Sequence, residues 1–348
     1  LAQNFVLEPI IGLAGGADEG TFDQSVLPFV VVDDVRIENV SPLIRPGTFD
    51  HLKEMLGRDV VEKMERVRYG LIFRYGPRTV IDGKMPGDDA EQNTRAEYYM
   101  RKIAACLRLV RPMSQSALLM RGTVRYDGTL DVTGSDIPPL HLIEVPEVQK
   151  LFHLRNSDCN ALRLCVPEFL RGMMGGFWKF RMSLQFHDLG YFQTLDWRAR
   201  YLLWCSAIES IYTTHHREHQ GKRVATSRIK WFLGETTSIY APGDLTDLLR
   251  DPQITVGRIV GDLYDVRNYL AHGDRIPDVF FTEILRNSFN GGVNKMDVLL
   301  EAASFIVRST LLKVLQDRLL DHFTDARSAE TYFGPSLTNS ALQSAGVP

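Results

Sequence analysis

The chain has 348 residues, 44% of them hydrophobic, and its 40 Lys and Arg against 43 Asp and Glu give a formal net charge of -3. That length exceeds one typical domain and predicts two, each with enough apolar side chains for a core. Near-neutral charge excludes bulk electrostatic coating of nucleic acid, leaving a local basic patch as the only such route.

No apolar run approaches a membrane span and no signal peptide is visible. Cys106, Cys159, Cys165 and Cys205 show no C-x-x-C pairing and sit in apolar settings. They read as reduced core thiols, and the expected location is cytoplasmic.

Residues 1–190 mix strand-like and helix-like stretches, which predicts an α+β domain. Phe5 to Leu13 and Leu27 to Val32 are short apolar runs, and Arg66 to Tyr75 alternates like a half-buried strand. Gly12, Gly15, Gly16 and Gly20 follow the first run but lack a Gly-Lys-Ser/Thr ending. Asp18 and Glu19 would put negative charge where phosphate sits, so a turn is expected. Thr48 to Met64 reads as an amphipathic helical region broken near Gly57. Thr94 and Glu97 have capping-box spacing, predicting a helix through Tyr98, Ile103 and Leu107 to about Val110, ended by Pro112. Ala117 to Val132 reads as a hairpin turning at Asp127-Gly128, and Leu140 to Val145 as a further strand. Beyond Pro146 the pattern is helical or mixed, with breaks expected at Pro167 and Gly175-Gly176. Phe177, Trp178 and Phe180 read as a core cluster.

The boundary falls at Asp188 to Thr194, and residues 191–323 are expected to be all helical. Trp197 to Tyr212 is one long helix with Trp197, Tyr201, Trp204, Ile208 and Ile211 on a stripe. Glu209 lies beside that stripe, and a half-buried carboxylate needs a cationic partner, for which Arg267 and Arg228 are the candidates. A polar loop from His215 leads into a helix from Val224 to Leu233, closed by Gly234. Loop and helix carry His215, His216, Arg217, His219, Lys222, Arg223, Arg228 and Lys230 against the single acid Glu218. His215 and His219 at i,i+4 suggest a metal pair, but no carboxylate at ligand spacing completes it. The remaining readings are a patch that tracks phosphate through Arg217, Lys222, Arg223, Arg228 and Lys230, and a solvated loop.

A short helix is expected from Asp244 to Leu249. Val256, Ile259, Val260 and Leu263 then recur at three and four, predicting a helix that carries Asp265, Arg267, Asn268, Tyr269 and His272 and ends at Gly273. Arg is a permanent planar cation that grips phosphate through two donors. His has an unperturbed pKa of about 6.5 and exchanges protons near neutrality. Asn268, at i,i+4 from His272, can orient either group. Asp274 to Asp278 reads as a loop, Phe280 to Ser288 as a short helix and Gly291-Gly292 as a separator. Lys295 to about His322 reads as the final helix, with Val298, Phe305, Leu312, Leu315 and Leu319 apolar, and residues 324–348 as a weakly ordered tail.

The run Arg267-Asn268-x-x-Ala271-His272-Gly273 resembles the R-x4-6-H motif of the HEPN superfamily, most closely its Apea-like branch. Ala207-Ile208-Glu209-Ser210-Ile211 resembles the first helix of that fold. The resemblance implies a helical bundle that dimerises, juxtaposes two motifs and cleaves RNA without a metal or other cofactor. Arg267, His272 and Asn268 would be catalytic, with Glu209, Tyr269 and Asp265 in support. Families of this kind often act in defence against phage, so residues 1–190 are expected to sense an infection product or select the RNA. A toxin silenced by nucleotidylation is disfavoured, because no Tyr follows His272 closely. The rival is a non-catalytic HEPN module that binds RNA, nucleotide or protein.

Overall fold

The computed structural model describes residues 3–9, 27–65, 67–77, 79–85, 87–110, 119–136, 156–190, 196–213, 218–239, 254–287 and 291–334. The chain is α+β and divides into two units, Leu1–Leu170 and Arg171–Pro348.

In the first unit six strands form one sheet in the order β2-β3-β4-β1-β5-β6, every neighbouring pair antiparallel. They are β1 (Gln3–Pro9), β2 (Phe29–Val32), β3 (Val35–Asn39), β4 (Tyr69–Tyr75), β5 (Leu119–Val124) and β6 (Leu130–Asp136). Phe5 and Leu7 of the central β1 join a core with Phe49, Leu52, Val61, Met64, Ile72 and Met120. Helices α1 (Lys53–Leu56) and α2 (Arg58–Glu65) flank that core, parted at Gly57 (φ +83°) as the sequence predicts.

Period-two alternation sends Val6 and Glu8 to the other face, where α3 (Asp89–Val110) packs. There Glu8 lies 3.6 Å from Arg108, and the Phe73 ring meets Tyr99 edge-on at 5.7 Å. Burial on both faces is why β1 reads as a continuous apolar run.

Two local expectations fail in this unit. Thr94 is not a cap: α3 starts at Asp89, Asp88 accepts the Glu91 amide at 2.7 Å, and the Thr94 hydroxyl donates back to the Ala90 carbonyl at 3.0 Å. Glu97 instead reaches Arg121 at 2.6 Å. Nor does Pro167 break α4 (Asn156–Met174), because Cys165, Val166 and Phe169 around it are buried and hold the helix through the lost hydrogen bond. The break at Gly175-Gly176 is present. The β5–β6 hairpin turns at Asp127-Gly128 as predicted, with Gly128 at φ +83°. Beside its bulge Gly122 is required, since a Cβ there would lie 1.9 Å from the Asp131 carbonyl oxygen.

The second unit contains α5 (Trp178–Leu189), α6 (Trp197–Tyr212), α7 (Glu218–Leu233), α8 (Val256–His272), α9 (Lys295–Gln316) and α10 (Ala326–Phe333). It begins earlier than the composition change at Asp188 to Thr194 because α5 lies antiparallel along α6. The Trp204 indole donates to the His187 carbonyl at 3.2 Å, and Lys179 at the other end reaches the close of α6. Phe180 is buried in this unit while Trp178 is exposed.

The unit is not all helical. The stretch expected as a helix from Phe280 contains a 3-10 turn, Asp278–Phe281, and then β7 (Glu283–Asn287), which pairs antiparallel with β8 (Gly291–Asn294). Gly291 and Gly292 therefore belong to a strand. Asn294 and Asp297 form the capping box of α9, which ends at Gln316 rather than His322.

Residues 325–334 also depart from expectation. Asp325 caps α10 by accepting the Ser328 amide at 2.8 Å, and Phe333 is 2% exposed among the rings of Tyr212, Trp231, Phe232 and Phe323. The small-residue composition of the tail concealed this aromatic anchor. Phe333→Ala is expected to cost about 3–5 kcal/mol, read by denaturant unfolding; a midpoint equal to wild type would show that α10 is not docked.

Gly12, Gly15, Gly16, Gly20, Pro112, Leu140 to Val145, His215, His216, Arg217, Asp244 to Leu249 and residues 335–348 lie outside the described residues. Among those described, no helix is long and apolar enough to cross a membrane, and no three His, Cys, Asp or Glu side chains gather as metal ligands.

Candidate functional site

Helix α8 buries Val256, Ile259, Val260, Leu263 and Val266; Arg267 continues that inner stripe and is partly buried, Asn268 lies at its margin, and His272 is exposed on the far side. It stays helical to His272. Gly273 then adopts φ +73°, its amide donating to the Leu270 carbonyl at 3.3 Å and that of Asp274 to Tyr269 at 2.8 Å. This is the paired closure that a left-handed terminal residue makes, and glycine adopts it without steric cost.

The two helices singled out in the sequence meet here. Glu209 of α6 accepts from Arg267 of α8 at 2.9 Å, so Arg267 rather than Arg228 is its partner. The other terminal nitrogen of Arg267 donates to the Asn268 side-chain oxygen at 3.3 Å. The Arg267 and Glu209 side chains are 30% and 27% exposed, so solvent screens the pair and its net contribution to stability is about 1 kcal/mol or less. One turn earlier the Tyr201 hydroxyl donates to the Leu263 carbonyl at 2.8 Å. That carbonyl is also the i-4 acceptor for the Arg267 amide in a regular helix. The α6–α8 seam thus fixes both the backbone and the guanidinium of Arg267.

Beneath the pair lie Cys205 and Tyr264. Burial first, and then the nearby Glu209 carboxylate, push the thiol and the phenol well above their ordinary pKa values, so both stay neutral. The Tyr264 hydroxyl is buried with no hydrogen-bond partner among the described residues. Its removal in Tyr264→Phe is expected to raise stability by about 1 kcal/mol; a lower melting temperature would show that the hydroxyl has an acceptor.

His272 is exposed, and its side chain makes no hydrogen bond or ion pair among the described residues. Five helical positions separate it from Arg267, which is about 140° around the axis and about 7.5 Å along it. Because α8 does not unwind before His272, the two side chains of one chain diverge. Arg267 has five donors, of which two are engaged among the described residues, and the others could meet an anion.

No family model matches this chain, and no curated protein or solved structure does either.

The basic stretch read as an RNA-binding patch does not form one surface. Arg228 is 0% exposed, inside the unit: it donates to the Tyr212 carbonyl at 2.8 Å and lies 5.1 Å from the Phe333 ring centre. A long side chain at an inward helix position is indistinguishable in sequence from an outward one when its neighbours are also polar. Lys222 is paired with Asp265, and Lys230 with Glu235 at 3.1 Å, while Arg223 is exposed. Around the motif, Lys295 likewise meets Asp262 at 2.7 Å and Arg275 meets Asp278 at 2.8 Å. Asp265 therefore tethers α7 to α8, and Tyr269 packs its ring edge-on against Phe280 at 6.4 Å; neither touches Arg267 or His272 among the described contacts.

One residue of this region was missed in the sequence. Lys179 is almost buried, and its ammonium donates to the carbonyls of Ser210 and Thr213, both at 2.8 Å. Burial, followed by the nearby Arg228, lowers its pKa to about 8. A lysine between Trp178 and Phe180 at the start of an apolar helix was the available signal.

Proposed function

We propose that the protein is a metal-independent endoribonuclease of HEPN type that acts as a homodimer in the cytoplasm, in defence against phage. The observation that carries the reading is the end of α8, where a braced, partly exposed Arg267 stands five positions before an exposed His272, which has no partner among the described residues. In RNA the 2′-hydroxyl adjoins the scissile phosphate and attacks it when deprotonated. His272 serves as general base or acid, Arg267 neutralises charge on the phosphorane, and Asn268 orients the guanidinium. Two copies about a two-fold axis bring the Arg267 of one protomer to the His272 of its partner, a pairing the diverging side chains of one chain do not make. The first unit selects the RNA or responds to a phage-derived trigger, altering how the motifs approach. The test is incubation of wild type and His272→Ala with RNA in excess EDTA: cleavage by wild type alone supports the reading, and activity restored only by magnesium or manganese overturns it.

The pairing of Arg267 with Glu209, and of Lys222, Lys295 and Arg275 with acids, favours a second reading. In it Arg267 is structural, and the helical unit is a non-catalytic module binding RNA, nucleotide or protein. Wild type that binds RNA but never cleaves it, with or without phage infection, selects this reading.

A further inference from the structure

We propose that Lys179 and Arg228 are positioning residues, a pair of buried cations that clamp the last turn of α6 and thereby set Glu209 and, through it, the Arg267 guanidinium. The final carbonyls of a helix have no intrahelical donor, and they form the negative end of its dipole. At the close of α6 the amide of Thr213 takes the Glu209 carbonyl at 2.9 Å. The carbonyls of Ser210 and Thr213 go to Lys179, from α5, and that of Tyr212 goes to Arg228, from α7. Two cations from two other helices thus occupy positions where water serves an ordinary helix end.

Burying an ammonium and a guanidinium is costly, and an apolar side chain would fill either space. What the cations supply is a terminal turn that does not fray. Glu209 belongs to that turn, and its only described side-chain partner is Arg267. Lys179 remains mostly ammonium at neutral pH, since its lowered pKa is about 8. Buried in this position, Arg228 neither partners Glu209 nor lies exposed in a phosphate-binding patch or a solvated loop.

The inference rests on the reading of Arg267 as a functional group, so its main test uses no RNA. The full chain, labelled with nitrogen-15, is compared with Lys179→Met, which keeps the length of the side chain and removes the donors. The variant is expected to exchange its Thr213 amide about tenfold faster. Its Arg267 Nε resonance moves towards its position in Glu209→Gln, while the amides of Ile306 and Leu311 in the α9 core stay at wild-type rates. Unchanged Thr213 exchange and an unmoved Arg267 resonance overturn the proposal. If Lys179→Met does not fold, the reciprocal measurement decides: coupling between sites is symmetric, so Glu209→Gln must shift the Lys179 Nζ resonance, and an unmoved signal overturns it. In RNA cleavage Lys179→Met lowers kcat by about tenfold with KM unchanged, and adds nothing to Glu209→Gln. If wild type cleaves no RNA, the ribonuclease reading falls and the resonances alone decide the clamp.

Discussion

His272→Ala is expected to lower RNA cleavage by about 10² to 10⁴-fold, the range lost when a general acid or base is removed. It should leave folding stability within about 0.5 kcal/mol of wild type. The separation is sharp because the His272 side chain is exposed and unpartnered among the described residues, so truncation opens no cavity and strands no buried group. Arg267→Ala tests the other half of the motif and is expected to cost about 10² to 10³-fold, as for a group facing developing charge. Its effect on stability is larger than that of His272→Ala, because Glu209 is left half-buried without its cation. Steady-state cleavage of a fluorogenic RNA, set beside denaturant unfolding of the same preparations, reads both quantities. If His272→Ala cleaves as fast as wild type, the histidine is a helix terminus and nothing more.

The helical framework was legible where apolar spacing and terminal residues agreed. Val256 to Leu263 with Gly273 placed α8, and the stripe from Tyr201 to Ile211 placed α6. The need of Glu209 for a cation narrowed its partner to two, and three-dimensional packing chose between them. What escaped were features set by contacts with another segment. Phe333 is anchored by rings from α6 and α7, and Arg228 and Lys179 are held inward by carbonyls of α6. The strand pairing of β7 with β8 overrode a run that scans equally well as a short helix. For Phe333, Arg228 and Lys179 the deciding contact lay far along the chain, whereas for β7 it was the adjoining β8, a pairing that the local pattern left ambiguous. The α6–α8 seam was the easier case, since both of its helices declare their inner faces.

Mixing two inactive proteins is expected to restore cleavage. If the working site takes Arg267 from one protomer and His272 from the other, Arg267→Ala and His272→Ala each fail alone. A heterodimer of the two still contains one site with both residues intact. Random reassortment of equal amounts makes about half of the dimers hybrid, each with one of its two sites complete, so activity should return to about a quarter of wild type. A site confined to one chain predicts none, because no protomer in the mixture carries both side chains. The geometry favours the first outcome: α8 remains regular through His272, and its closure at Gly273 leaves no unwound turn to swing the imidazole round to Arg267. The mixture should be unfolded and refolded together so that subunits exchange, with dimer formation followed by light scattering. Recovery that appears only after co-refolding establishes a shared site. Full cleavage by a protein that light scattering shows to be monomeric would remove the dimer from the mechanism.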